Sequence, residues 1–127
     1  MNDRVVFTGK QPATDIHLWY SALDVFVVPR RDVEVCRKVT PLKPLQAMAC
    51  GVPVIGTDLP ALKEITGGLM VEVEPDNPSA LAKSVDLVRQ VELIVNPREL
   101  EEWAKKRSWE RNAHILEGLY LELLRGR

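Results

Sequence analysis

Aromatic residues are scarce, at 6% of the chain, and the two cysteines, Cys36 and Cys50, have neither CxxC nor metal-type spacing. That argues against a disulfide-stapled secreted scaffold and a cysteine-built zinc site, so both read as free thiols in a reducing, cytoplasmic setting. No secretory leader opens the sequence, no internal repeat is visible, and no apolar run approaches the roughly 20 residues of a membrane span. Neither sign of charge is in excess: the formal net charge is -1, which gives no general affinity for nucleic acid or for an anionic membrane. Nucleophile motifs are missing as well. His17 lies off the apolar face of its segment with no Cys, Asp or Ser motif beside it, and reads as a surface histidine. No catalytic residue is identifiable in this chain, and no metal ligand set.

What is there suffices for one domain with a real core, since 46% of the 127 residues are hydrophobic. Residues 4–8 read as a short buried strand, and Gly9 to Pro12 as a turn. Ile16, Trp19, Tyr20 and Leu23 recur at helical spacing, which predicts an apolar face packed on a sheet. Residues 25–28 form a continuous apolar strand of the kind covered on both faces. Strands follow at 52–57 and 69–73, with a short helical connection over 59–65. Asn77 before Pro78 starts a helix carrying Leu81, Val85 and Val88, and Asn96 before Pro97 starts another. Trp103 and Trp109 anchor two amphipathic segments, the second running through Leu116, Leu119, Tyr120 and Leu123, and core packing is the expectation for that stripe. The fold class is α/β. It divides into a core over 1–91 and carboxy-terminal helices over 92–127.

The chain is organised around residues 29–51, where a basic loop joins a strand's carboxyl end to a helix closed by Gly51. Ligands bind at such places in open parallel sheets. Arg30, Arg31, Arg37, Lys38 and Lys43 face only Asp32 and Glu34 there. Either Thr40 caps the helix with Pro41 first, or Lys43 caps it with Pro44 first, leaving free N–H groups among Leu42, Lys43, Leu45 and Gln46 for an anion. For a basic loop taken alone, a plain helix start with solvated cations is the simpler reading.

The runs Asp24-Val25-Phe26-Val27-Val28-Pro29 and Pro44-Leu45-Gln46-Ala47-Met48-Ala49-Cys50-Gly51-Val52-Pro53-Val54-Ile55-Gly56-Thr57-Asp58 resemble the donor-binding half of retaining, family 4 (group 1) glycosyltransferases. Val6-Phe7-Thr8-Gly9, Trp19-Tyr20-Ser21-Ala22, Pro75-Asp76-Asn77-Pro78 and Ser108-Trp109-Glu110 fit as flanking text, so nearly the whole chain is covered. The resemblance implies part of a GT-B carboxy-terminal domain, metal-independent and without cofactor, binding a nucleotide-diphosphate sugar as substrate in polysaccharide biosynthesis. It further implies phosphate contacts at Arg30, Lys38, Thr40, Pro41, Leu42 and Lys43 and a ribose contact at Gln46. Such enzymes carry two glutamates at the positions of Lys38 and Gln46, neither of which is acidic here. An amide can still bond a ribose hydroxyl, whereas a lysine cannot accept from a sugar hydroxyl. The stretch Val39-Thr40-Pro41-Leu42-Lys43-Pro44-Leu45 also resembles an exosortase-associated branch in which Thr-Pro-Leu-Lys-Pro-Leu is the norm.

By that resemblance, the acceptor domain and the first strands of the donor domain lie outside this sequence, which corresponds to a fragment, a split subunit or a remnant. In the order 3-2-1-4-5-6, residues 4–8 would be third and 25–28 fourth. Either residues 4–8 slide beside 25–28, completing a Rossmann-like parallel sheet of about four strands, or a second copy or a complementary amino-terminal chain covers the open edge. A cytoplasmic location is expected, with peripheral membrane attachment as an option. Two function classes stay open: a donor-site half of a glycosyltransferase, and a non-catalytic nucleotide-binding or subunit-interaction module descended from one.

Overall fold

A computed structural model describes residues 4–90 and 95–126. Its sheet is parallel, with three strands in the order β1 (Phe26–Val28), β2 (Val54–Thr57) and β3 (Val71–Val73). Val27 faces Ile55, and Gly56 faces Glu72. All four residues of β2 are buried. A central strand covered on both faces accounts for its unbroken apolar text. Gly56 is the small residue this crowding needs, because a Cβ there would lie 2.8 Å from Met70 Sδ and 3.2 Å from Val28 Cγ1.

Seven α-helices accompany the sheet among the described residues: α1 (Ile16–Ser21), α2 (Glu34–Lys38), α3 (Lys43–Ala49), α4 (Pro60–Thr66), α5 (Pro78–Arg89), α6 (Pro97–Lys105) and α7 (Trp109–Arg125). The expected caps of α5 and α6 form as read. Asn77 Oδ1 accepts from the N–H of Ala80, and Asn96 Oδ1 accepts from the N–H of Arg98. Helix α3 is the inner element, with Pro44, Ala47 and Met48 buried against the sheet and against Leu100 and Ala104 of α6. The boundary drawn at 91–92 falls outside the described residues.

Four expectations are corrected. Residues 4–8 form no strand and do not slide beside β1; Val6 and Phe7 are 82% and 93% exposed, and the sheet has three strands rather than four. An apolar run becomes a strand only where a neighbouring ladder and a covered face receive it, and neither meets this segment. Helix α1 buries Tyr20 alone, while Ile16, Trp19 and Leu23 stay substantially exposed. Trp109 is 84% exposed and α7 has no buried residue, so its leucine stripe is not core.

The start of α3 also differs. Leu42 occupies the cap position and its carbonyl accepts from Gln46 N–H at 3.1 Å, so neither Thr40 nor Lys43 caps the helix. A Thr40 cap would require the N–H of Pro44, which proline lacks, and would press its ring on the Thr40 carbonyl. The helix begins later, where Pro44 falls in the first turn and its missing donor costs nothing. Gly51, expected to close α3, follows its C-cap Cys50 with φ +70°.

Helices α4 and α6 are joined by Trp103. Its Nε1–H donates to the Ile65 carbonyl at 2.8 Å, its ring lies over Gly67, and the Arg107 guanidinium sits 4.8 Å from the ring centroid. Gly67 has φ +63°, and a Cβ there would lie 2.6 Å from the indole. Gly67→Ala should therefore destabilise the fold by about 2 to 3 kcal/mol, combining left-handed strain with overpacking. Urea denaturation measures this; a loss below about 0.5 kcal/mol, typical of a surface change, would show that Trp103 is not held there.

Candidate functional site at the carboxyl ends of the strands

The carboxyl ends of β1, β2 and β3 open on one edge of the domain. Pro29 and Arg30 leave β1, Asp58 leaves β2, and Glu74 leaves β3. A cavity of about 230 Å³ lies there, lined by Arg30, Arg31, Thr57, Glu74, Asp76 and the start of α5. Arg30 is half-buried; its backbone N–H donates to Thr57 Oγ1 at 2.8 Å, and its Nη1 donates to the Val39 carbonyl at 3.0 Å.

The loop's charges largely settle among themselves. Residues 34–38 form the single-turn helix α2, in which Lys38 Nζ pairs with Glu34 at 2.5 Å across one turn. Arg37 forks onto Asp32, its Nη2 lying 2.6 Å from Oδ2. That hydrogen bond holds the Asp32 carboxyl below its usual range. Arg31 Nε stands 3.9 Å from Asp76 across the cavity mouth. Lys43 has no ion-pair partner among the described residues. It is the exposed cation at the α3 start.

Lys43 is not isolated. Thr40 and Pro41 are half-buried beside it, Leu42 is exposed, and the N–H groups of Leu42, Lys43 and Leu45 donate to no backbone carbonyl among the described residues. Gln46 does not add a fourth, because its N–H closes the first helical bond to Leu42. Its side chain projects from α3 one turn after Lys43, on the same face, and Gln46 Oε1 accepts from Tyr20 Oη at 3.2 Å. That bond leaves the amide NH₂ as a donor. Thr40, Pro41, Leu42 and Lys43 thus stand in sequence with Gln46 one turn on, but Leu42 and Gln46 border a second cavity with α6 and Trp109, while Arg30 lines the strand-end cavity and Lys38 is tied to Glu34.

Three participants escaped the sequence reading. Thr57 gives no local signal, being a hydroxyl at the end of an apolar strand. Tyr20 was read as core, and its burial hid a phenol facing Gln46. The Glu34–Lys38 pair was visible as an i,i+4 spacing that favours a helical turn. Among the described residues, no group of three His, Cys, Asp or Glu side chains could hold a metal, and no helix is long and apolar enough to cross a membrane.

Residues 1–90 match the family model described as "Glycosyl transferases group 1". Over 67 residues, 52% of this chain and 17% of the relative, the sequence is 48% identical to the "Lipopolysaccharide core biosynthesis mannosyltransferase LpsB" of Rhizobium meliloti (strain 1021). Over 75 residues, 58% of this chain and 19% of the relative, it is 29% identical to the "Putative teichuronic acid biosynthesis glycosyltransferase TuaH" of Bacillus subtilis (strain 168). The matched stretch spans less than a fifth of the length of either relative.

Tyr20 carries a pH signature. Burial, and secondarily the Cys50 thiolate, push its phenol above the ordinary value of 10.0. A raised acid favours the folded state while protonated, so this contribution is intact below pH 10 and is lost as pH rises through the folded value. Chemical denaturation between pH 8 and 11, on the wild type and Tyr20→Phe, should show the wild type losing stability above about pH 10 and the variant losing less. Parallel curves would contradict the assignment.

Proposed function

Because the chain belongs to the group 1 glycosyl transferases, we propose that its strand-end surface is the donor side of a sugar-transfer site and holds a nucleotide-diphosphate sugar. The observation that carries this reading is the exposed, unpaired Lys43 beside the N–H groups of Leu42, Lys43 and Leu45, at the carboxyl edge of a parallel sheet. Such an edge is where a phosphorylated ligand is received. Lys43, the Thr40 hydroxyl and those N–H groups take the diphosphate, with Pro41 and Leu42 shaping the approach. The Gln46 amide donates to the ribose, oriented by Tyr20. Arg30 and Lys38, engaged by Val39 and Glu34, contribute field at longer range.

Catalysis in this reading is electrostatic. Positive groups pre-set around the diphosphate stabilise the negative charge that develops as it leaves the sugar. Transfer proceeds with retention and without metal, the acceptor side coming from outside these residues. Similarity to a protein named as a mannosyltransferase makes a mannosyl donor the first sugar to try. A second reading is a nucleotide-binding module without turnover. It is favoured by Lys38 and Gln46 standing where the resembling enzymes carry glutamates, since Lys38 cannot accept a sugar hydroxyl.

Calorimetry with UDP and GDP tests the site. Binding should be weak, with a dissociation constant of about 0.1 to 1 mM, equivalent to roughly 4 to 5.5 kcal/mol; no saturable heat at millimolar ligand would sink it. Lys43→Ala should weaken binding about fivefold at low ionic strength and by less than about twofold near 1 M salt, where an exposed cation is screened. Gln46→Ala should cost nucleotide affinity and spare pyrophosphate, and equal losses would contradict a ribose contact. The chain alone should transfer no sugar; robust turnover would show that it holds a complete reaction centre.

A further inference from the structure

Two hydrogen bonds connect the sheet to the segment that opens α3. Thr57 ends the buried strand β2 and is itself 2% exposed, so its hydroxyl is a fixed point. It accepts the backbone N–H of Arg30 at 2.8 Å, and the Arg30 guanidinium reaches on to the Val39 carbonyl at 3.0 Å. Val39 is the extended C-cap of α2, and Thr40 follows it directly. A path of fixed groups thus runs from the sheet to residue 39, bypassing the exposed loop between. Arg37–Asp32 and Lys38–Glu34 are exposed ion pairs within the loop, Arg31 forms a third exposed pair with Asp76 outside it at 3.9 Å, and α2 lies against α4. Pairs of that kind hold little against solvent and cannot fix the loop relative to the sheet.

We propose that Thr57 and Arg30 are positioning residues, a brace that sets where Val39 to Lys43 stand relative to the strand ends. The functional consequence rests on the donor-site reading, in which that segment receives the diphosphate. The residue types suit the role. A buried hydroxyl in apolar text is costly without a partner, and the Arg30 N–H is its partner. A planar guanidinium spans from a strand end to a carbonyl with an ordered donor, which a flexible ammonium does less well. Arg30 therefore spends its directional capacity on the chain, leaving Lys43 as the cation that meets the ligand.

Hydrogen exchange read by mass spectrometry on the full chain tests the brace without any ligand. Within residues 39–46 the hydrogen-bonded amides of Val39 and Gln46 should exchange about three- to tenfold faster in Arg30→Met and in Thr57→Val, the effect of losing one ordinary hydrogen bond. Peptides from β2, β3 and α6 should keep their rates, and Thr57→Ser, which retains the acceptor, should restore the wild-type pattern. Unchanged exchange over 39–46, or a rise only in step with the core, would overturn the proposal. A pyrophosphate titration across salt concentration provides the second arm. Arg30→Met should lower affinity while flattening the salt dependence only slightly, as loss of a more distant cation does; a flattening equal to that of Lys43→Ala would make Arg30 a direct ligand and overturn the brace. If wild type binds no pyrophosphate, the donor-site reading fails, and the exchange result alone decides the brace.

Discussion

Pro44 is fully buried and cannot donate a hydrogen bond, and these two properties set the register of α3. Once the helix is barred from starting at Thr40, its inner face becomes Pro44, Ala47 and Met48, at the three- and four-residue spacing of one helical side. The sheet and α6 receive that face, with Leu100 and Ala104 closing over it. The same register turns Lys43 and Gln46 outward together. Gly51 then reverses the chain into β2 with φ +70°, and a Cβ there would come within 3.2 Å of Glu101 and 3.3 Å of Pro97 on α6. Packing of the core and presentation of the site are consequences of one helix's phase.

Electrostatics at the strand ends is governed by pairing rather than by the count of charges. Five cations against two anions suggested a strongly positive loop, yet Asp32 and Glu34 are each consumed by a cation four or five residues away. Arg30 points its guanidinium at a carbonyl, and Arg31 leans toward Asp76 from outside the loop. The positive charge left without a carboxylate partner among the described residues sits on half-buried Arg30 and on exposed Lys43, the one at the α3 start. A focused charge beside unpaired N–H groups recognises a compact dianion better than a diffuse field does, because charge-assisted bonds depend on direction and short distance.

Features set by local chemistry were legible in the sequence. Asn77 with Pro78 and Asn96 with Pro97 started helices where their caps said they would, and the apolar runs at 25–28, 52–57 and 69–73 became the three strands in order, each shortened at its start. Features set by tertiary partners were not legible. Residues 4–8 carry strand-like text without a neighbouring ladder, and Thr57 looked like any residue at a strand end until the Arg30 N–H was found on it. The loop of the candidate site was legible as a region at the strand ends, and the pairing of its side chains was not. The missed step was local after all: placing Pro44 at the fourth helical position, where a donor is obligatory, already rules out the Thr40 cap.

Helices α6 and α7 separate what a helical pattern states from what it leaves unstated. Both are amphipathic, and both were expected to pack by their aromatic and leucine positions. In α6 the pattern is met: Leu100 and Ala104 enter the core, and Trp103 reaches the Ile65 carbonyl at 2.8 Å. In α7 an equally regular stripe, Leu116, Leu119, Tyr120 and Leu123, remains exposed. Periodicity identifies which side of a helix is apolar, while burial depends on a surface shaped to receive it. For α6 that surface is visible in its particulars, since Gly67 leaves room for an indole ring and the last turn of α4 supplies a carbonyl for its N–H. Trp109 of α7 instead borders an open cavity with Leu42, Leu45 and Ala49, and α7 buries no residue, so its apolar side stays in solvent while that of α6 completes the core.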